Sequence, residues 1–444
     1  GQAQKGFKLG PFVLRAPYFH YELEAAEVLQ GIIMTATSLG GVALLESLFG
    51  IPYPVAITII VFQHIGYFLH QILGDVTISG WLTPAVPLIT SFVGAYELGA
   101  QRIEAYIALQ ITVGVLFLFL AVFRVSGRLI KLVPPALKGG LIIGAGISAL
   151  TGQYGITRSG LMLQQYPISL FVGAPLLIFL LYSERLKRYT TLHPHTLIAK
   201  LLRFGIVPGL ILICLLALLI GEAALPAIRF GFLKLEVGAM LRDWSVAGLG
   251  LPNLQLFLKA IPLSFVCFIL AFGEVVLAQE IVDDVKPKRP DERVDFSSNR
   301  LTAITGIRNI LHGLFAPSGG LSGPNWAAMT MAVSRRYENG HQSMYSFIGG
   351  SASFNIVRIV AIMFLPITSF LTPFREPTLC LLMIMQGFAC LSLGISIPKS
   401  RIELASALLV GIVLANYNAA IALAVGILIT ILNKNARIEK SEKH

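Results

Sequence analysis

Charge is what this 444-residue chain has least of. Asp, Glu, Lys and Arg make up 13% of it, against roughly 25% in an ordinary soluble domain. Hydrophobic residues make up 55%, and the mean hydropathy is +0.76. That balance excludes a soluble enzyme, a disordered chain and a fibrous protein. Domain linkers are missing too. A soluble chain of this length is expected to split into about three domains, yet no polar stretch rich in Ser, Gly or Pro marks a split. Cysteine is sparse: Cys214, Cys267, Cys380 and Cys390 all lie in apolar runs without metal-ligand spacing, which reads as packing in a membrane. There is no Walker loop, paired metal-ligand motif or nucleophile elbow. The expectation is a protein that is not an enzyme, has no cofactor or metal, and draws energy from a solute or ion gradient. No signal peptide is visible, because the first apolar run follows Glu22, Glu24 and Glu27 rather than a basic segment. The chain opens on Gly1, and a trimmed or tagged sequence is expected.

What the chain has in abundance is apolar runs of membrane-crossing length, about 20 residues each. Fourteen spans are predicted, at 27–49, 54–73, 83–96, 104–123, 132–151, 167–182, 204–222, 257–279, 297–315, 324–334, 343–365, 376–396, 402–416 and 418–433. The last two are short enough to be re-entrant. The net charge of +11 is not gathered into a basic patch with interleaved aromatics, so no nucleic-acid partner is expected. It sits in short clusters between runs. With the N-terminus cytoplasmic, 25 Lys and Arg fall on the cytoplasmic side and 7 outside, while Arg308 and Arg358 lie within spans. This bias predicts both termini in the cytoplasm of a multi-pass protein of the plasma (inner) membrane. The division is a cytoplasmic segment 1–26, a first repeat 27–223, an extracytoplasmic loop 224–256, a second repeat 257–433 and a cytoplasmic tail 434–444.

Two spans, the third and tenth, are short, and each opens on a Gly-, Ser- and Pro-rich break. The first runs from Gly74 through Ser79, Gly80, Trp81, Leu82 and Thr83 to Pro84. The second runs from Ala316 through Ser318, Gly319, Gly320, Ser322 and Gly323 to Pro324 and Asn325. Thr83 before Pro84 has the form of an N-cap followed by proline at the first helical position, and Pro324 is expected to be the first helical residue of its span. Such breaks leave unpaired N–H groups and the positive end of a helix dipole at membrane depth, where irregular backbone survives only if buried or lining a cavity. Seven spans apart, they predict inverted repeats whose half-helix N-termini converge on a substrate near the midplane. Converging N-termini suit an anion or an electron-rich carbonyl.

From Phe272 to Gly340 the chain resembles the transport domain of sulfate permease (SulP-type) anion transporters and uracil/xanthine permeases. The run includes Gly273-Glu274-Val275, a charged loop through Asp283, Asp284 and Lys286, then Gly313 to Pro317, the Ser/Gly break, Asn325 to Met329 and Arg335-Arg336. Gly80 to Pro87 is similar to the family's third-span break. The resemblance implies an all-α polytopic fold of seven-plus-seven inverted repeats. Spans 1–4 and 8–11 would form a core domain and 5–7 and 12–14 a gate domain, with elevator-like movement and a homodimer. The chain departs from nucleobase permeases in carrying Pro324 where they have an acid and Ala278 where they often have His. It stops about a dozen residues after its last span, so the SulP-type cytoplasmic regulatory domain is expected to be absent.

Glu274 is the sharpest candidate, a carboxylate inside a span that could carry a proton, bond substrate, or pair with Arg308 or Arg358. Either arginine could counter an anion, though pairing with Glu274 or with helix-end carbonyls is the leading expectation. His64, mid-span, reads as a core residue before it reads as a proton relay. His70 and His312 are weaker still, and Glu46 reads as interfacial. Ser79, Thr83, Ser318, Ser322 and Asn325 offer neutral hydrogen bonds at the breaks. Trp81 could stack on or wall off a ligand beside Leu82, and Gly80, Gly319, Gly320 and Gly323 permit the backbone geometry of the two breaks. The reading is a secondary transporter of a small anion, inorganic or carboxylate, by symport with H⁺ or Na⁺ or by exchange. The alternatives are a nucleobase permease, an anion channel on the same scaffold and, weaker, a membrane-embedded enzyme or receptor.

Overall fold

The computed structural model describes residues 2–3, 5–152, 154–158, 160–193, 195–202 and 207–441. Arg203 and Lys443, both counted among the cytoplasmic bases, lie outside the described residues, as does the start of the seventh predicted span. Helices fall on all the apolar runs. They are α1 (Ala25–Phe49), α2 (Tyr53–Ile72), α3 (Val86–Gly94), α4 (Ala100–Val122), α5 (Pro135–Thr151), α6 (Pro167–Tyr182) and α7 (Val207–Leu219). The second set is α8 (Leu254–Val285), α9 (Ser298–Phe315), α10 (Ala327–Tyr337), α11 (Phe347–Met363), α12 (Arg375–Ser396), α13 (Arg401–Asn416) and α14 (Ala419–Ser441). Among the described residues, 5 helices are long and apolar enough to cross a membrane on their own, or up to 7 with bent pairs taken as one span. One bent pair joins Ser126–Leu132 to α5 at 98°. The chain is a multi-pass membrane protein.

Small residues set the crossings, as expected where helices gain little from hiding apolar surface and must approach closely. A Cβ on Gly114 of α4 would stand 2.8 Å from the Gly306 carbonyl of α9, and one on Gly306 would stand 2.8 Å from the Gly114 carbonyl. The same close approach joins α5 to α13 through Gly144 and Gly411. Two groups of helices pack within themselves and meet where α1 lies on α12 and α8 touches α5 and α14. In one, α4 lies on α9 and α8, α11 lies on α1 and α2, and α10 lies on α8. In the other, α5 lies on α12, α13 and α14, and α6 lies on α7 and α12.

The expected all-α architecture needs one amendment. Among the described residues, six short strands form three pairs. β1 (Gln2–Ala3) runs parallel to β5 (Glu292–Arg293). β2 (Phe7–Leu9) and β3 (Phe12–Leu14) make an antiparallel hairpin. β4 (Gly80–Trp81) and β6 (Ser322–Gly323) pair antiparallel, Gly80 with Gly323 and Trp81 with Ser322. The physical reason for the third pair is backbone satisfaction. Both breaks are buried, so their amide groups need partners other than water, and each break supplies them to the other.

Candidate functional site

The β4–β6 seam brings the two sequence breaks together. Beyond the strands, the Leu82 N–H donates to the Leu321 carbonyl at 2.8 Å, and the Trp326 N–H to the Ile78 carbonyl at 2.6 Å. Asn309 clasps Ser322, accepting from its N–H at 2.9 Å and donating to its carbonyl at 3.0 Å. Arg308, fully buried, donates to the Gly80 carbonyl at 3.1 Å and the Gly323 carbonyl at 3.3 Å. It also reaches His70 Nε2 at 2.7 Å. A guanidinium only donates, so His70 Nε2 is the acceptor and its Nδ1–H donates to Asp75 Oδ2, 2.7 Å away. The Thr77 hydroxyl donates to the same carboxylate at 2.9 Å. An Asp75–His70–Arg308 chain thus ends on both strands of the seam. Arg308 is expected from the sequence to counter an anion or to pair with Glu274 or with helix-end carbonyls; the carbonyls it contacts are those of the β4 and β6 strands.

Two capping expectations are corrected. Thr83 does not cap α3: its hydroxyl turns back to the Trp81 carbonyl at 3.4 Å, and residues Thr83–Ala85 form a 3-10 turn with Leu82 at its N-cap. Pro324 is not the first helical residue, since α10 starts at Ala327 with Trp326 at its N-cap. Pairing of Ser322 and Gly323 with β4 holds the chain extended there, and the Trp326 N–H is committed to Ile78. The helix can begin only after those bonds are made.

Next to the seam is a cavity of about 470 Å³. Of the sequence-chosen residues, Gly80, Trp81, Thr83, Glu274, Asn325 and Arg358 line it. Ser79, Leu82, Ser318, Gly319, Gly320, Ser322 and Gly323 do not, and they build the seam instead. Ser79 donates to the Tyr67 carbonyl at 3.4 Å, and Ser318 donates to the Gly320 carbonyl at 2.9 Å and accepts from Gln110. Gly319 has φ +73°, a conformation that favours glycine. A Cβ on Gly320 would sit 2.7 Å from the Trp81 ring, and one on Gly41 of α1 would sit 2.6 Å from it. The indole is therefore a wedge between α1 and the second break. Asn325 is held by the Thr330 hydroxyl, which donates to its Oδ1 at 2.7 Å.

Arg358 is the charged group at this cavity with unused donors. It is 2% exposed. Its Nη2 donates to the Ser38 hydroxyl at 2.6 Å, while Nε and Nη1 have no acceptor among the described residues. Tyr67, Trp326 and Phe354 each stand 5.2 Å from the guanidinium carbon, measured to the ring centroid. Such contacts hold a desolvated cation in place. Tyr67 is shared, with Arg308 lying 4.9 Å from the same ring. Ser38 accepts from Arg358 and donates its own O–H to His64 Nε2 at 2.9 Å, because His64 Nδ1–H is committed to the Ile60 carbonyl at 2.6 Å. His64 is a satisfied core residue that props Arg358 through Ser38. Glu274 forms no ion pair with Arg308 or Arg358 among the described residues. It lines the cavity with a buried, unpartnered Oε2. Glu46, near the end of α1, pairs with Arg375 at 2.7 Å.

Sequence reasoning missed Ser38, Gln63, Tyr67 and Trp326, all lining the cavity, and Asp75 behind the seam. Two signals were available. Tyr67 follows His64 by three residues, on the same helix face. Trp326 directly follows Asn325 in the second break. Gln386 on α12 had no signal, being one polar residue in an apolar run.

The fold matches solved transporter structures. These include the transmembrane domain of the cyanobacterial bicarbonate transporter BicA, with TM-score 0.54 and 15% identity over 90% of this chain and 96% of that one. SLC26A9 matches with TM-score 0.55 and 14% identity over 92% of this chain and 64% of that one. The murine anion transporter Slc26a9, in its inward-facing state, matches with TM-score 0.61 and 12% identity over 95% of this chain and 70% of that one. The chain has the SulP/SLC26 transporter fold that the resemblance implied. No protein-family model matches it, and no curated protein does.

Proposed function

We propose that the chain is a secondary active transporter of a small anion, inorganic or carboxylate, in the plasma (inner) membrane. The observation that carries this is Arg358, a buried guanidinium at the cavity with two nitrogens that find no acceptor among the described residues. A buried cation without a counter-charge is costly, and an anion accepting charge-assisted hydrogen bonds offsets that cost. The start of α10 adds to the field, since Trp326, Ala327 and Ala328 line the same cavity at the positive end of the helix. The bicarbonate and anion transporters that share the fold support the same solute class. Glu274, with its free Oε2, is the coupling residue for H⁺ or Na⁺ symport, while exchange would not need it.

In this reading the fourteen helices form two inverted repeats, 27–223 and 257–433. The packing supports it: exchanging each helix for the one seven places on turns the α1–α11 contact into α8–α4 and the α2–α11 contact into α9–α4, and all four are present. α1–α4 and α8–α11 form a core that shifts, elevator-like, against a gate of α5–α7 and α12–α14. The α3 and α10 half-helices meet at the membrane midplane. Segments 1–26 and 434–444 are cytoplasmic, loop 224–256 is outside, and two copies form a homodimer. The competing reading, a nucleobase permease, draws on the unpartnered Glu274 carboxylate and the Tyr67 and Trp326 rings.

A thermal-shift screen of the purified protein separates the two, because a ligand of the native state stabilises it by mass action, by about 2.7 kcal/mol at a hundred times its Kd. Anions are expected to raise the midpoint in the wild type and not in Arg358→Gln. Stabilisation by uracil or xanthine alone, retained in Arg358→Gln, would overturn the anion reading.

A further inference from the structure

The structure assigns the cavity to an organic carboxylate with an apolar or aromatic body rather than to a bare inorganic anion, an inference that rests on the anion reading above. Size is the first argument. A water molecule occupies roughly 30 Å³ of the liquid, and cavities of several hundred Å³ enclose ligands of many heavy atoms. A cavity of about 470 Å³ is far larger than a single trigonal or spherical ion needs.

The chemistry of the walls is the second argument. Arg358 and Ser38, joined by a hydrogen bond, line the cavity with Gln63, Asn325 and the Glu274 carboxylate. α12 contributes a largely apolar stripe formed by Leu379, Leu382, Met383, Gln386, Ala389 and Leu393. Their spacing follows one helix face. Gln386, the one polar member, turns its amide to Cys390 Sγ at 3.2 Å. Met383 and Met385 add flexible side chains that repack around varied shapes.

The third argument concerns the aromatic walls. Tyr67 and Trp326, beside the Arg358 charge, also line the cavity. Ring faces carry negative potential, so a hydrated inorganic anion gains nothing from them. A hydrocarbon or aryl body gains buried area against both rings and against the α12 stripe. The carboxylate therefore sits at Arg358 and the start of α10, with the body pointing toward α12.

Calorimetric titration of the full chain in nanodiscs tests this, with sodium formate, acetate, butyrate, hexanoate and benzoate as probes and empty nanodiscs subtracted. Each methylene that enters the cavity is expected to tighten binding roughly fourfold. Hexanoate and benzoate should bind at least about tenfold tighter than formate. Replacing Leu382 and Met383 together by Ser should lower the hexanoate-to-formate affinity ratio. Equal affinity across the series, still lost in Arg358→Gln, would overturn the inference while leaving the anion reading in place. It would assign the apolar stripe to sliding of α12 against its neighbours. Absence of binding by every probe, or binding indifferent to Arg358→Gln, would remove the anion reading and this inference with it.

Discussion

The buried arginines divide their work. Arg308 spends both terminal nitrogens on the protein, on Gly80, Gly323 and His70, and leaves Nε unpartnered, while Arg358, which lines the cavity, has Nε and Nη1 unpartnered among the described residues. Their shared contact with Tyr67 places both on one ring. The consequences of substitution differ accordingly. Arg308→Met strips a partner from His70 and leaves Asp75 without its bridged counter-charge. Breaking a buried ionic network of this kind costs about 3–5 kcal/mol, so the thermal midpoint should fall sharply whether or not an anion is present. Arg358→Gln should change the midpoint less in anion-free buffer and abolish the rise that anions give the wild type. Equal effects of the two variants on the anion-free midpoint would contradict this division.

At the level of elements, the β4–β6 seam is where two distant parts of the sequence become one structure. Gly323 shows how little room the seam leaves: an added Cβ would stand 2.7 Å from the Trp81 carbonyl group and the Leu82 nitrogen, all of them backbone atoms. Backbone cannot yield as a side chain can, and overpacking of this kind costs about 1–3 kcal/mol or more. Gly323→Ala is therefore expected to lower both stability and transport, whereas Gly273→Ala, with nothing within 4 Å of its added Cβ, should leave stability unchanged. Comparable melting of the two variants would mean the seam is looser than its geometry. The breaks themselves were legible from their Gly, Ser and Pro content and their separation by seven apolar runs. Their pairing as strands was not, because two-residue strands carry no periodicity. The helix starts were misplaced for the same reason: Thr83-Pro84 and Ser322-Gly323-Pro324 look like caps only if the preceding residues are free, and here tertiary bonds hold them. Trp326 and Tyr67 had only local signals, next to Asn325 and one turn after His64, and an aromatic residue in an apolar run reads first as lipid-facing.

For the whole molecule, the distribution of the few charges predicts a topology. In the proposed orientation the clusters at 124–138, 185–203 and 286–300 lie on the cytoplasmic side, and Lys234 lies in the loop proposed to be outside. Lys234 has an 89% exposed side chain and Lys286 a 38% exposed one. The native cysteines give little background, since Cys267, Cys380 and Cys390 are buried and Cys214 is partly so. In intact cells, an impermeant maleimide should label Lys234→Cys and spare Lys286→Cys, and the reverse pattern would invert the orientation. The central claim, that Arg358 binds the transported anion, is tested most directly by counterflow in proteoliposomes. Vesicles preloaded with unlabelled acetate are diluted into a trace of labelled acetate, with wild type and Arg358→Gln reconstituted in equal amounts. A transient overshoot of label in the wild type, absent from Arg358→Gln, is the predicted result. Equal overshoot in the two proteins would contradict the claim.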